Sequence, residues 1–215
     1  MDAGAVLGDH RGIRTIAEKG RLKMTARGTI QAATAFALAA LFVVPAVSGA
    51  AEVRPVFVAG FDTGGDKLAT VTFTNGDTES IRANEGLYIG GGISVMNEDK
   101  DIEFVGTVNY KYAAVHADNE DITWTRIPID TLLFYRWQKF RLGGGLTFQL
   151  SPNLKASGQL LSSNVNVDNA VGLLLQGDYL LGKVNIGLRA TLVDFKANGS
   201  TAKGNGVGVT FGITF

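Results

Sequence analysis

The sequence predicts an all-β protein, an eight-stranded antiparallel transmembrane up-and-down β-barrel with an extra hairpin in its first external loop. Three observations predict it. Residues 51–215 alternate apolar and polar side chains segment after segment, the period of a strand with two different faces. The connections between segments alternate between long and short. The N-terminal region carries the features of an export signal.

The segments follow in order. Around 55–62, Phe57, Ala59 and Phe61 oppose Val58, Gly60 and Asp62. Over 87–95, Leu87, Ile89, Ile93 and Val95 oppose Tyr88, Gly90, Gly92 and Ser94. Over 102–112, Ile102, Phe104, Val108, Tyr110 and Tyr112 oppose Glu103, Val105, Thr107, Asn109 and Lys111. Ile127, Ile129, Leu133, Tyr135 and Trp137 oppose Arg126, Asp130 and Arg136, and Phe140, Leu142, Leu146, Phe148 and Leu150 oppose Arg141, Thr147 and Gln149. Val171, Leu173, Leu175 and Tyr179 oppose Gln176 and Asp178. Val184, Ile186, Leu188, Ala190 and Leu192 oppose Asn185, Gly187, Arg189 and Thr191. The last segment sets Val207, Val209, Phe211, Ile213 and Phe215 against Gly206, Gly208, Thr210, Gly212 and Thr214. Segments of this kind suit membrane-spanning strands, which need about 9–11 residues. Tyr112, Trp124, Tyr135, Trp137 and Tyr179 near segment ends are the aromatic girdle expected at the membrane interfaces. A soluble sandwich would bury the same apolar faces, so alternation alone does not separate the two.

The connections do favour the barrel. Those at 63–85, 113–121, 151–169 and 196–205 are long or moderate; those at 97–101, 138–139 and 181–183 are short. Short periplasmic turns and longer external loops are the asymmetry of outer-membrane barrels, and an even strand count puts both chain ends on the periplasmic side. Within the first long connection, Leu68–Phe73 and Asp77–Arg82 flank Asn75-Gly76, a strong two-residue hairpin signal. This hairpin is expected above the rim or over the mouth; its faces are too polar for lipid.

The N-terminal region is read as an address. Arg27, an apolar run through Val47 and the small residues Ser48-Gly49-Ala50 make residues 24–50 a cleaved secretory signal peptide, with 1–23 as an N-terminal extension and Met24 as an alternative start. The mature domain is then 51–215, located in the cell outer membrane. It carries 14 basic and 17 acidic residues, a net charge of −3, with no basic excess for nucleic acid. Cysteine is absent from all 215 residues, which removes disulfides, thiolate metal sites and a Cys nucleophile.

On Ala83–Tyr88, Thr125–Asp130, Arg141–Thr147, Val165–Ala170 and the ending Gly206–Phe215, the chain resembles the small proteobacterial outer-membrane β-barrel proteins, the porin-like and opacity-type eight-stranded barrels. The resemblance implies architecture and location, not chemistry. The terminal Phe215, following Phe211 and Ile213, resembles the C-terminal signal that the barrel-assembly machinery reads. The implied partners are that machinery and outer-membrane lipid.

If the apolar faces meet lipid, then Asp62, Glu103, Lys111, Arg126, Asp130, Arg136, Arg141, Asp178 and Arg189 share one lumen: four acids and five bases. An eight-stranded barrel is just wide enough to fill with side chains. These charges are expected to pair into a plug anchored by Arg126 and Asp130; a proton or ion path is the functional alternative. His116, with Asp118, Glu120 and Asp121, is read as a solvated loop and not as a metal site, and a His116–Ser162/Ser163 hydrolase lacks any fixed geometry. No cofactor, metal or enzymatic activity is expected. The function expected is a membrane anchor that presents loops. The alternatives are a narrow channel or carrier for small or apolar solutes, a lipid-modifying barrel, and a soluble lipocalin-like binder.

Overall fold

The computed structural model describes residues 52–73, 77–117, 120–158 and 162–215. The signal-peptide and extension readings, Asn75-Gly76 and Asp118 lie outside the described residues. Eight long strands carry the fold: β1 (Glu52–Gly64), β4 (Gly86–Met96), β5 (Ile102–Ala117), β6 (Glu120–Trp137), β7 (Phe140–Gly158), β9 (Ala170–Leu181), β10 (Val184–Ala197) and β12 (Gly206–Thr214). Four short ones complete it: β2 (Lys67–Thr72), β3 (Thr78–Arg82), β8 (Ser162–Asn166) and β11 (Ser200–Lys203). Each long strand pairs antiparallel with its neighbours in chain order, β7 pairs β9, and β12 pairs back to β1, so the eight strands close a barrel. Closure leaves no sheet edge within the spanning region, which is what lets a sheet cross a bilayer.

Side chains sort by parity. Outward positions are apolar and open, among them Leu87, Leu133, Leu142, Leu173 and Leu188. On β10 the outward row runs from Val184 to Leu192; at about 3.3 Å per residue and a tilt near 40° this is a band roughly 20 Å high. At the end with the short turns, Tyr135, Trp137, Phe140 and Phe215 point outward and Phe140 packs on Tyr179 with ring centroids 5.1 Å apart. At the other end Tyr110 and Tyr112 hold the equivalent position.

The strands run past this band, which corrects the sequence expectation in three places. The connections read at 113–121 and 151–169 are largely strand: β5 and β6 leave only residues 118–119 between them, and β8 pairs back onto an extended β7. β11 likewise pairs β10 within 196–205. The cause is an inversion of polarity. Beyond the band the outward residues become polar (His116, Asp121, Thr123, Lys196), while the inward ones become apolar (Val115, Ile122, Trp124, Val193, Phe195). The alternation persists but changes sign, and an expectation keyed to apolar-outward rows stops where it flips.

On β7 the flip needs an extra residue. The β6–β7 register shifts by one between Thr125 and Ile127, and Ser151 sits at φ 48° in the resulting bulge. Asn169 Oδ1 accepts the Ser151 N–H at 2.9 Å. Pro152, which has no N–H to lose from the ladder, is buried at the bulge. Leu154 and Ala156 therefore turn inward.

The β2–β3 hairpin folds over the mouth. Val71, Ile81 and Ala83 pack with Val115, Ile122, Trp124, Ala170, Val193 and Phe195 in one dry cluster. Trp124 is a further correction: it is fully buried, not part of a lipid-facing girdle, and shares the inward parity of Arg126. Its indole N–H donates to the Ala83 carbonyl at 3.1 Å, and its ring meets Phe195 edge-on at 5.6 Å.

Candidate functional site

The lumen collects the charges. Asp62, Glu103, Lys111, Arg126, Asp130, Arg141, Asp178 and Arg189 are all buried at inward positions; Arg136, at the turn end, is about a quarter exposed. They form two clusters.

The cluster nearer the short turns is a chain of ion pairs. Arg136 Nη1 lies 3.4 Å from Glu103 Oε2, Arg141 Nη1 lies 3.0 Å from Glu103 Oε1, and Arg141 Nε lies 2.6 Å from Asp178 Oδ2. Neutral donors finish the carboxylates: Ser94 Oγ to Glu103 at 2.6 Å, and Gln176 Nε2 and Asn185 Nδ2 to Asp178 at 3.0 and 3.2 Å. The Arg141 guanidinium also lies over the Phe134 ring, 4.3 Å from its centroid. Two cations meet two anions here, so the group is neutral.

Val105 on β5 and Leu132 and Phe134 on β6 separate this group from the one nearer the hairpin; they belong to an apolar cluster with Val56 and Leu174. In the second group Lys111 Nζ contacts Asp62 Oδ2 directly and reaches Asn84 Oδ1 at 3.3 Å. Arg189 links the two acids, with Nη2 3.1 Å from Asp130 Oδ2 and Nε 3.7 Å from Asp62 Oδ1. Asn109 Nδ2 donates to Asp130 at 3.1 Å. Tyr88 lies beside both cations, 4.9 Å from the Arg189 guanidinium.

Glycines on the neighbouring strands make room for the acids. A methyl group at Gly208 would overlap Asp62 Oδ1 and the Phe61 carbonyl, and one at Gly187 would overlap Asp178 Oδ1. The space left inside this second group is about 10 Å³, lined by Asp62, Tyr88, Asn109, Lys111, Asp130 and Arg189 with their neighbours. That is the scale of a single water.

Arg126 does not pair with Asp130 as expected. Asp130 is taken by Arg189, and Arg126 turns toward the hairpin, donating from Nη2 to the Glu85 carbonyl at 3.2 Å. Its guanidinium lies 5.2 Å from the Trp124 ring centroid and 5.9 Å from that of Phe195. The parity of β6 puts Arg126 and Asp130 on one face, but four residues of a strand span about 13 Å, too far for direct contact.

His116 lies on β5, exposed, and not in a loop as expected. The register sets it opposite Asp121, with Ser157 and Ser162 next along the same row. Three strand spacings, about 14 Å, separate His116 from Ser162. Asp121 on β6 and Ser157 on β7 lie between them in the row, so the register does not pair His116 with Ser162. Among the described residues no three His, Asp or Glu side chains converge as metal ligands. Phe215, on the outward face, donates its N–H to the Pro55 carbonyl at 3.0 Å.

No family model matches the chain, and no curated protein matches it in sequence. Among solved structures it is similar to Ail, the attachment invasion locus protein of Yersinia pestis, in complex with the heparin analogue sucrose octasulfate: 10% identity, TM-score 0.47, over 77% of this chain and 99% of that one. It is also similar to Neisserial surface protein A, at 15% identity and TM-score 0.44, over 77% and 99%. The strand pairings themselves close eight strands, and the outward band and inward charges orient them. The chain is an eight-stranded transmembrane β-barrel of the outer-membrane type. In this barrel the candidate site is the lumen, which holds the ion pairs beneath the β2–β3 hairpin.

Proposed function

We propose that the protein is a closed outer-membrane anchor that presents its extended strands outside the cell and turns over no substrate. What supports this reading is the packing of the described inward charges: about 10 Å³ is left among those nearer the hairpin, and an apolar cluster lies above them. A channel would need a continuous wet path, and a carrier would need a cavity of several hundred Å³ inside the wall. Beyond the band, the extensions of β5, β6 and β7 with β8 form a polar, four-stranded platform suited to contact with other molecules. The register sets His116 opposite Asp121 and two strands away from Ser157, which favours binding over turnover on this face. Outer-membrane lipid is the partner of the apolar band. The outward row of β12, ending in Phe215, is the surface offered to the assembly machinery.

The test is conductance. The purified full chain, refolded in detergent until it migrates differently with and without boiling, is inserted into planar bilayers. The closed reading expects the current of bare lipid. Reproducible unit steps that scale with protein would replace it with a channel.

A further inference from the structure

The group nearer the hairpin holds polar atoms without partners, and their surroundings differ. Asp62 Oδ1, Asn84 Nδ2 and Asn109 Oδ1 lie against the backbone of Gly208, Gly206 and Gly90. Four others share one place. Asp130 Oδ1, Gln149 Oε1, Arg189 Nε and Thr191 Oγ1 have no hydrogen-bond partner among the described residues, and their residues are more than nine-tenths buried. All four residues line the space of about 10 Å³. Buried polar atoms are rarely left unmet, because each forfeits the hydrogen bond it made to solvent. These four come from β6, β7 and β10, so no strand ladder satisfies them together.

Their chemistry selects the guest. Asp130 Oδ1 and Gln149 Oε1 only accept, Arg189 Nε only donates, and the Thr191 hydroxyl does either. An ion suits one kind and is repelled by the other. An anion would stand beside the Asp130 carboxylate, and a cation beside Arg189 and Lys111, which line the same space. Water is neutral, donates twice, accepts twice and needs about this much room.

We propose that the barrel binds one water molecule in this space, donating to Asp130 Oδ1 and Gln149 Oε1 and accepting from Arg189 Nε and the Thr191 hydroxyl. Through it Gln149 on β7 joins the hairpin-side charges; its Nε2 donates within its own strand, to Thr147 at 2.7 Å. A water bridge of this kind is nearly as favourable in enthalpy as a direct hydrogen bond. The apolar cluster of Val105, Leu132 and Phe134 lies on one side of the site and the cap on the other, so the water exchanges slowly with the medium.

The experiment uses the refolded full chain. Its crystals are expected to show one density peak in the space, within hydrogen-bonding distance of Asp130, Gln149, Arg189 and Thr191. Crystals soaked in sodium bromide and in rubidium chloride should give no anomalous signal at that peak. An empty space, or an anomalous signal in either salt, would overturn the proposal. In solution, magnetic relaxation dispersion of water counts long-lived internal molecules. T191I, which puts an ethyl group where the hydroxyl stands, should show one fewer than the parent chain. An unchanged count in T191I, with its heat-dependent gel shift intact, would also overturn it; if that shift is lost, the crystals decide alone.

Discussion

The two halves of the interior solve the same problem with opposite chemistry. Nearer the short turns, the lumen is filled by ion pairs facing inward while apolar residues face lipid. Past the membrane band, the lumen is filled by Trp124, Phe195, Ile122 and Ile81 while polar residues face water. The same strands run through both, so one β5 residue row passes from Glu103 and Lys111 to Val115. The difference teaches that the solvent outside, not the strand, decides what goes inside. Where lipid takes the apolar face, the polar face must satisfy itself in the lumen; where water takes the polar face, the lumen becomes an ordinary hydrophobic core.

Cutting each half separately breaks this comparison. Glu103→Ala removes partners from Arg136 and Arg141 together and should have the largest effect, about 3–5 kcal/mol, because it leaves buried cations behind. Urea titration of the refolded protein in detergent, with tryptophan fluorescence as probe, reads it, and an unchanged midpoint would remove the ion pairs from the account of stability. Trp124→Ala should cost about 3–4 kcal/mol but in the other half. Limited proteolysis should then cut within residues 66–83 while the heat-dependent gel shift of the barrel survives. If the shift were lost as well, the two halves would be one cooperative unit.

Leu188→Arg tests the outside of the lower half. Placed mid-band, it should destabilise the barrel in bilayers by about 2–4 kcal/mol. The same charge introduced by Thr123→Arg, beyond the band, should change the midpoint by less than about 0.5 kcal/mol. Equal effects would mean that the band is misplaced. Gly208→Ala is the finest cut: crowding Asp62 should cost about 1–3 kcal/mol and slow refolding, with the cap unaffected in the proteolysis assay.

Much of the fold was legible in the sequence, and the limits are physical. Parity alone assigned Asp62, Glu103, Lys111 and the other charges to one interior, because a strand period of two leaves no choice once lipid claims the apolar face. Parity also carried the position of Trp124, two residues from Arg126, but an aromatic near a strand end resembles a girdle residue until its neighbours are known. The polarity inversion was hidden because a row of polar outward residues is also what a loop looks like. The bulge at Ser151-Pro152 falls at the start of the stretch 151–169, which by sequence reads as a connection; it takes Asn169, distant in sequence, to satisfy the bulge. Partner choice was beyond reach. Which acid Arg126 meets depends on strand tilt across the barrel, and no local pattern encodes it.

The apolar cap also sets an order of events. Its members come from β2, β3, β5, β6, β9 and β10, strands that face one another only across a closed cylinder. An open, partly inserted sheet holds β5 and β6 apart from β10, so Trp124 has no Phe195 to meet. The seated hairpin therefore needs the sheet curled far enough to bring β5 and β6 against β10. A probe that recognises the seated hairpin from outside the cell would therefore count finished barrels and ignore those still being assembled.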